Sequence, residues 1–337
     1  MTHPLVSVII PVFNERKLLR ECLNSVINQT LGNIEIIIVN DASTDGSQAT
    51  IDEFQSIDDR IEIILHKTNR GLGESRNSGI AAAKGKYIFF LDSDDSLPAD
   101  SLEALTNVAE THKSEIVIGK TKSKRQIDRE YVKCDLYNIS IMNYPDLFYN
   151  HSAWNKLISR QTLIDSGIRF LPPRYAEDIL FSLKLNLGCK AISILNRVTY
   201  NYRWGRQLKS VTKDKVFDAQ SNVIKALGCV EDTGNQFLIE QMMKKTAMNI
   251  FVNMQRAKNV FDHEELVEYL SNWNQLIKRI PDKIIEELPV RFKNFCKLIA
   301  RESYDEAITN WINTKKLSSF SRIAGFAEKI VLKNSIR

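Results

Sequence analysis

Short apolar runs rich in Val and Ile alternate with helix-period segments over the first ninety residues, and this alternation restricts the fold more than any other feature. The runs lie at 5–10, 34–39, 61–65 and 87–91, each too short for a helix and bounded by turn residues. Between the first two, Leu18, Leu19, Cys22, Leu23, Val26 and Ile27 recur at spacings of three and four, the signature of a helix with one buried face. Such alternation predicts an α/β fold whose mostly parallel sheet is covered by helices on both faces. In sheets of this kind ligands bind beyond the carboxyl ends of the strands.

Those ends are chemically distinctive here: Pro11-Val12-Phe13-Asn14-Glu15, Asn40-Asp41-Ala42-Ser43-Thr44-Asp45-Gly46, and Asp92-Ser93-Asp94-Asp95. Three carboxylates within four residues repel one another unless a cation neutralises them, and oxygen-only ligands suit Mg²⁺ or Mn²⁺. A divalent ion at a strand end implies a phosphate-bearing substrate. The competing reading makes Asp92 to Asp95 a turn that caps a helix beginning near Ala99. No G-x-G-x-x-G follows the first strand, so a nicotinamide enzyme fits poorly. The glycine cluster from Gly71 to Gly79 reads as a flexible loop ahead of a helix, with Arg76 a loop arginine that balances the carboxylates or holds a phosphate.

At 337 residues, with 43% hydrophobic and 26% charged, the chain has room for one large domain and an appendage. Five scattered Cys and five His show no metal-ligand spacing, which argues against zinc and disulfides. The sequence opens without a basic leader or a spanning apolar run, so a cytosolic protein with reduced thiols is expected. Of the 46 basic and 41 acidic residues, six and one lie in 311–337, leaving 40 of each sign before them. Nucleic acid is therefore not an expected partner.

Farther along, strand-like segments at 115–118, 131–139 and 154–158 precede a second acidic element, Arg174-Tyr175-Ala176-Glu177-Asp178. On residue type alone, Glu177 and Asp178 are first-turn acids of a helix over 179–187. Trp154 and Tyr175 read either as core aromatics or as platforms for a sugar ring. Beyond about 214 helical periodicity dominates.

Taken in order, six motifs resemble the family 2 inverting glycosyltransferases of bacterial surface-polysaccharide synthesis. They are Ser7 to Glu15, Val39 to Gly46, Asn69-Arg70-Gly71 with Arg76-Asn77-Ser78-Gly79, Leu91 to Asp95, Trp154 to Leu157, and Glu177-Asp178, spread over roughly 5–210. The resemblance implies a GT-A fold, a Rossmann-like sheet flanked by helices, over 1–212, and a helical region over 213–337. It also implies transfer from a UDP-sugar to a hydroxyl of a glycan or lipid-linked acceptor, for capsule, lipopolysaccharide or teichoic acid. Pro11, Val12, Phe13, Asn14 and Glu15 would wrap the nucleoside, Asp41 would accept from the uracil N–H, and Asp92 with Ser93 would meet the ribose or base. Asn69 and Arg76 belong to the same nucleotide site. Asp94 would bind Mn²⁺ or Mg²⁺ bridging the phosphates, Asp178 would be the general base, and Glu177 would orient it or touch the acceptor. The segment from Tyr200 to Thr212 resembles one that closes over the diphosphate, where Arg203, Arg206, Lys209 and Ser210 reach phosphate oxygens. Several relatives carry a metal-binding histidine there; this chain has none, and Lys209 supplies a point charge instead.

Near the C-terminus, Phe320, Ile323, Ala324, Ala327, Ile330 and Val331 share one helical stripe, with Arg322, Lys329 and Lys333 nearly opposite. This suits an anionic membrane surface, at the inner face of the cytoplasmic membrane, or equally a helix packed on the protein. Residues 214–310 suit a homo-oligomer interface or an acceptor platform. Two rival functions are a non-catalytic sugar-nucleotide-binding scaffold and a nucleotidyltransferase. An intact Asp-x-Asp with a Glu-Asp pair disfavours the first, and the lack of a glycine- and basic-rich loop after the first strand disfavours the second.

Overall fold

The computed structural model describes residues 3–123, 134–172, 176–203 and 212–313. It divides into two compact units, Met1–Arg206 and Gln207–Arg337. In the first, eight strands, β1 (Val6–Val12), β2 (Ile34–Asn40), β3 (Ile61–Leu65), β4 (Tyr87–Phe90), β5 (Ile116–Ser123), β6 (Leu136–Ile139), β7 (Lys156–Ser159) and β8 (Ile192–Tyr202), form one sheet. Their order is β3-β2-β1-β4-β7-β5-β8-β6. β6 and β7 run against the other six, so the sheet is mostly parallel, as expected. Helices α1 (Arg16–Ile27), α2 (Ser47–Gln55), α3 (Leu72–Ala82), α4 (Ser101–His112), α5 (Arg160–Ser166) and α6 (Glu177–Gly188) connect and cover it.

All seven positions of β1, and likewise of β2, are buried, which is why their sequences lack polar alternation. On one face Val6, Val8, Ile10 and Val12 join Leu19, Cys22, Leu23 and Val26 of α1 in the main core. On the other face Gly79 of α3 meets Ile9, and a Cβ at Gly79 would come within 2.3 Å of Ile9 Cγ2. That glycine lets α3 lie directly on β1.

Two local expectations are corrected. β1 continues through Pro11 and Val12, which are buried strand residues and not part of a loop. Ile9 O accepts from Leu91 N, so by the two-residue period Pro11 also faces β4, beyond the last paired residues, Ile9 and Phe90. Its missing N–H falls where the ladder has already stopped. The glycine cluster is mostly helical, because α3 begins at Leu72 and places Arg76 on its inner face.

The second unit contains α7 (Lys213–Glu231), α8 (Gln236–Ala257), α9 (His263–Lys278), α10 (Asp282–Glu287), α11 (Val290–Ala300) and α12 (Tyr304–Asn313). Its buried side chains include Val223, Leu227, Leu238, Leu270, Trp273, Phe292 and Ile299. A reciprocal cap between Asp262 and Glu265 starts α9. Among the described residues no helix is long and apolar enough to cross a membrane. The stripe from Phe320 to Val331 lies outside them.

Candidate active site

The three acids after β4 have different surroundings. Asp95 is 2% exposed, and its carboxylate accepts from Tyr200 Oη at 2.8 Å and Arg203 N at 2.6 Å. It therefore ties β4's end to β8's end. Burial, with Asp92 and Asp94 nearby, pushes it up to about 8. Asp92 accepts from Arg76 Nη2 at 2.8 Å, and burial raises its pKa although Arg76 opposes the rise. Asp94 and Ser93 lie half-buried in the turn between them, and Arg203 Nε donates to Asp94 O at 3.1 Å.

Arg76 connects this turn to the second acidic element. Its side chain is fully buried against the rings of Phe90 and Phe170, 5.8 and 5.2 Å from their centroids. One arm, Nη2, holds Asp92; the other, Nη1, donates to Asp178 Oδ1 at 2.5 Å. Burial opposes its charge, but Asp178, Asp92 and Glu177 outweigh burial and raise its pKa. Of the two tasks expected of it, this arginine balances carboxylates, and it does so from inside a helix.

Asp178 Oδ2 also accepts from Ala153 N at 3.2 Å, and the side chain keeps 23% exposure. Being in the first turn of α6 does not explain these contacts, since both oxygens are engaged by groups outside the helix. Glu177 is buried against the first turn of α3 near Gly73. Burial and the adjacent Asp178 push it up to about 7. Ala176, just before the pair, holds φ at 60°, a left-handed conformation at the start of α6.

On the nucleoside side, Asp41 is buried at the end of β2 and accepts from Arg70 N and Gly71 N, each at 2.8 Å. The loops after β1 and β2 interlock. Asn14, with φ at 52°, accepts from Thr44 N at 2.8 Å, and Asp45 accepts from Arg16 N at 2.9 Å and Ser47 N at 3.0 Å. Asp45 thus serves as an N-terminal cap for α1 supplied from another loop. Glu15 precedes that helix and donates its N–H to Ser47 Oγ at 3.1 Å. Phe13 is 50% exposed just after β1, and Asn69 is exposed in the loop before α3.

Sequence reasoning passed over His66, a lone histidine without ligand spacing. It follows β3 directly, in the row of strand ends that holds the other site residues, and its Nδ1 lies 2.7 Å from Asp41 Oδ1. Position beyond a strand end was the signal available. Trp154 takes its core reading: it is 8% exposed and stacks on Tyr200 and Tyr202, with centroids 4.7 and 5.0 Å apart. The Arg203 guanidinium pairs with Glu21 at 2.5 Å. Arg174, Tyr175, Arg206, Lys209 and Ser210 lie outside the described residues.

No group of three His, Cys, Asp or Glu among the described residues converges to cage a metal. Asp95 and Asp92 are tied to the protein, and Asp94 is the half-buried carboxylate of the turn between them. One carboxylate completed by substrate phosphates and water fits Mg²⁺ or Mn²⁺, which seldom require an all-protein cage.

The mixed sheet, its flanking helices and the acidic strand end define a GT-A class α/β fold. The family profile "Glycosyl transferase family 2" matches residues 7–170, and the chain carries a domain of that family. The uncharacterized glycosyltransferase EpsJ of Bacillus subtilis is 34% identical over 212 residues, 59% of this chain and 61% of that protein. Poly(ribitol-phosphate) beta-N-acetylglucosaminyltransferase TarP of Staphylococcus aureus is 27% identical over 84% of this chain and 92% of its own length. The S. aureus TarS 1-349 crystal structure in complex with UDP-GlcNAc superposes with a TM-score of 0.77 at 20% identity, covering 92% of this chain and 91% of that one. The chain spans about three-fifths of the length of EpsJ and of the B. subtilis glycosyltransferase EpsH.

Proposed function

We propose that this protein is a metal-dependent inverting glycosyltransferase. It moves a sugar from a UDP-sugar to a hydroxyl of a surface glycan or lipid-linked glycan. The observation that carries this reading is the single buried guanidinium of Arg76, whose two arms hold Asp92 at the strand end and Asp178 at the start of α6. A carboxylate suited to general-base work therefore stands beside the carboxylate that would meet the donor.

In this reading Asp41 accepts from the uracil N–H, Phe13 covers the base, and Asp92 with Ser93 meets the ribose. Asp94 would hold Mg²⁺ or Mn²⁺, which neutralises charge growing on the diphosphate leaving group. Asp178 takes the proton of the acceptor hydroxyl as that oxygen attacks the anomeric carbon opposite the leaving phosphate, and this single displacement inverts the configuration. Arg76 and Ala153 N–H fix the direction in which Asp178 accepts the proton. The helical unit serves the acceptor, a second copy or an anionic membrane surface. TarP, named as a poly(ribitol-phosphate) beta-N-acetylglucosaminyltransferase, supports a polymer hydroxyl as the acceptor class.

The test is UDP release from a panel of UDP-sugars with Mn²⁺ or with EDTA, using wild type and Asp94→Ala. Metal-dependent release from one sugar nucleotide, lost in Asp94→Ala, supports the reading, and NMR of the product gives its anomeric configuration. No binding of any UDP-sugar overturns the donor assignment.

A further inference from the structure

Asp41 is connected to α3 through a histidine. His66 Nδ1 lies 2.7 Å from Asp41 Oδ1, with the two side chains 5% and 3% exposed. Its Nε2 lies 2.9 Å from Ser78 Oγ on α3. A carboxylate only accepts, so the hydrogen on Nδ1 points at Asp41, and Ser78 holds the far edge of the ring. Arg70 N shares Oδ1 with His66, whereas among the described residues Oδ2 receives Gly71 N alone. The remaining acceptor capacity of Asp41 therefore sits on Oδ2.

We propose that His66 is a positioning residue for nucleobase selection. Braced by Ser78, it fixes the rotation of Asp41 so that the open lone pair of Oδ2 meets the ring N–H of the base. This rests on the reading of Asp41 as the uracil acceptor. Uracil presents an N–H at ring position 3 where cytosine presents a lone pair. An acceptor-only group held in one orientation pairs with the first and repels the second. Among the described residues His66 is the one side chain that donates to Asp41.

The experiment compares UDP and CDP binding by calorimetry in Mn²⁺ buffer, using the full chain as wild type, His66→Ala, His66→Asn, Ser78→Ala and Asp41→Asn. Losing one hydrogen bond to a charged group weakens UDP about tenfold in His66→Ala, with CDP unchanged, so the UDP/CDP ratio falls by the same factor. The amide N–H of His66→Asn replaces Nδ1–H and returns the ratio to within roughly threefold of wild type, as one restored bond implies. Ser78→Ala lowers the ratio roughly threefold, since it removes only the brace. It tests the idea even where His66→Ala does not fold. UDP and CDP weakened equally, or neither changed, in both His66→Ala and Ser78→Ala overturns the role of His66. If Asp41→Asn keeps the wild-type ratio, the uracil assignment itself has failed. If Asp41→Asn collapses the ratio while the His66 variants keep it, the positioning role alone has failed.

Discussion

Replacing Arg76 with Met removes the one charge that holds the two acidic elements together and leaves most of the side-chain volume in place. Asp92 and Asp178 are then buried carboxylates, 14% and 23% exposed, without their shared cation. Removing one partner of a buried pair costs about 3–5 kcal/mol, and the partial exposure of both acids favours the lower part of that range. The pH dependence follows from Asp92, whose pKa is already raised by burial and restrained by Arg76. Without the guanidinium it rises further above its unfolded value of about 3.9, so the folded variant binds more protons than the unfolded chain. Its stability deficit relative to wild type grows as pH rises from 5 to 8. Thermal melts at pH 5 and pH 8 measure this, and turnover with the identified UDP-sugar measures the second consequence. Loss of the fixed direction of Asp178 lowers kcat about a hundredfold, a larger factor than the loss of UDP affinity that follows from Asp92. Arg76→Lys retains charge without the fork and recovers stability better than turnover. The reasoning is refuted if Arg76→Met melts like wild type at both pH values. It is also refuted if the variant loses UDP affinity at wild-type kcat, since that pattern belongs to a phosphate ligand.

Asp178→Asn keeps UDP binding and lowers kcat by about 10²–10⁴, the range for a lost general base, as single-turnover kinetics will show. Glu177, raised to about 7, contributes stability that is complete below its unfolded value and declines as pH rises toward neutrality. Glu177→Gln therefore gains stability relative to wild type between about pH 4.5 and 7, read from melting temperatures across that window. Gly79→Ala forces its new methyl into Ile9 and costs about 1–3 kcal/mol in denaturant unfolding. It also lowers kcat, because Arg76 lies one turn earlier on the same helix.

Much of the fold and of the site was legible in the chain because it depends on local periodicity. The runs at 34–39 and 61–65 became β2 and β3 with little change: β2 is buried along its whole length, and β3 is the half-buried edge strand beside it. The acidic strand end and Asp41 stood out because strand ends in such a sheet share one rim, whereas the Glu-Asp pair, in the first turn of α6, was singled out by the family resemblance. Local pattern failed where a tertiary contact replaced a turn signal. Pro11 stays in its strand because β4 has stopped pairing beside it, and the Gly71 to Gly79 segment is helical because Gly79 permits contact with β1.

By itself the sequence determined the strand and helix order, the rim on which the acids gather and the residue types available there. Only the tertiary structure decided how those acids divide their work. Asp95 became an internal tie to Tyr200 and Arg203, Asp92 and Asp178 came to share one arginine, and Asp41 acquired His66. The physical reason is that the role of a carboxylate is set by its desolvation and by the donors that reach it. Those donors come from positions 16 to 108 residues away in the chain, beyond what any spacing rule encodes.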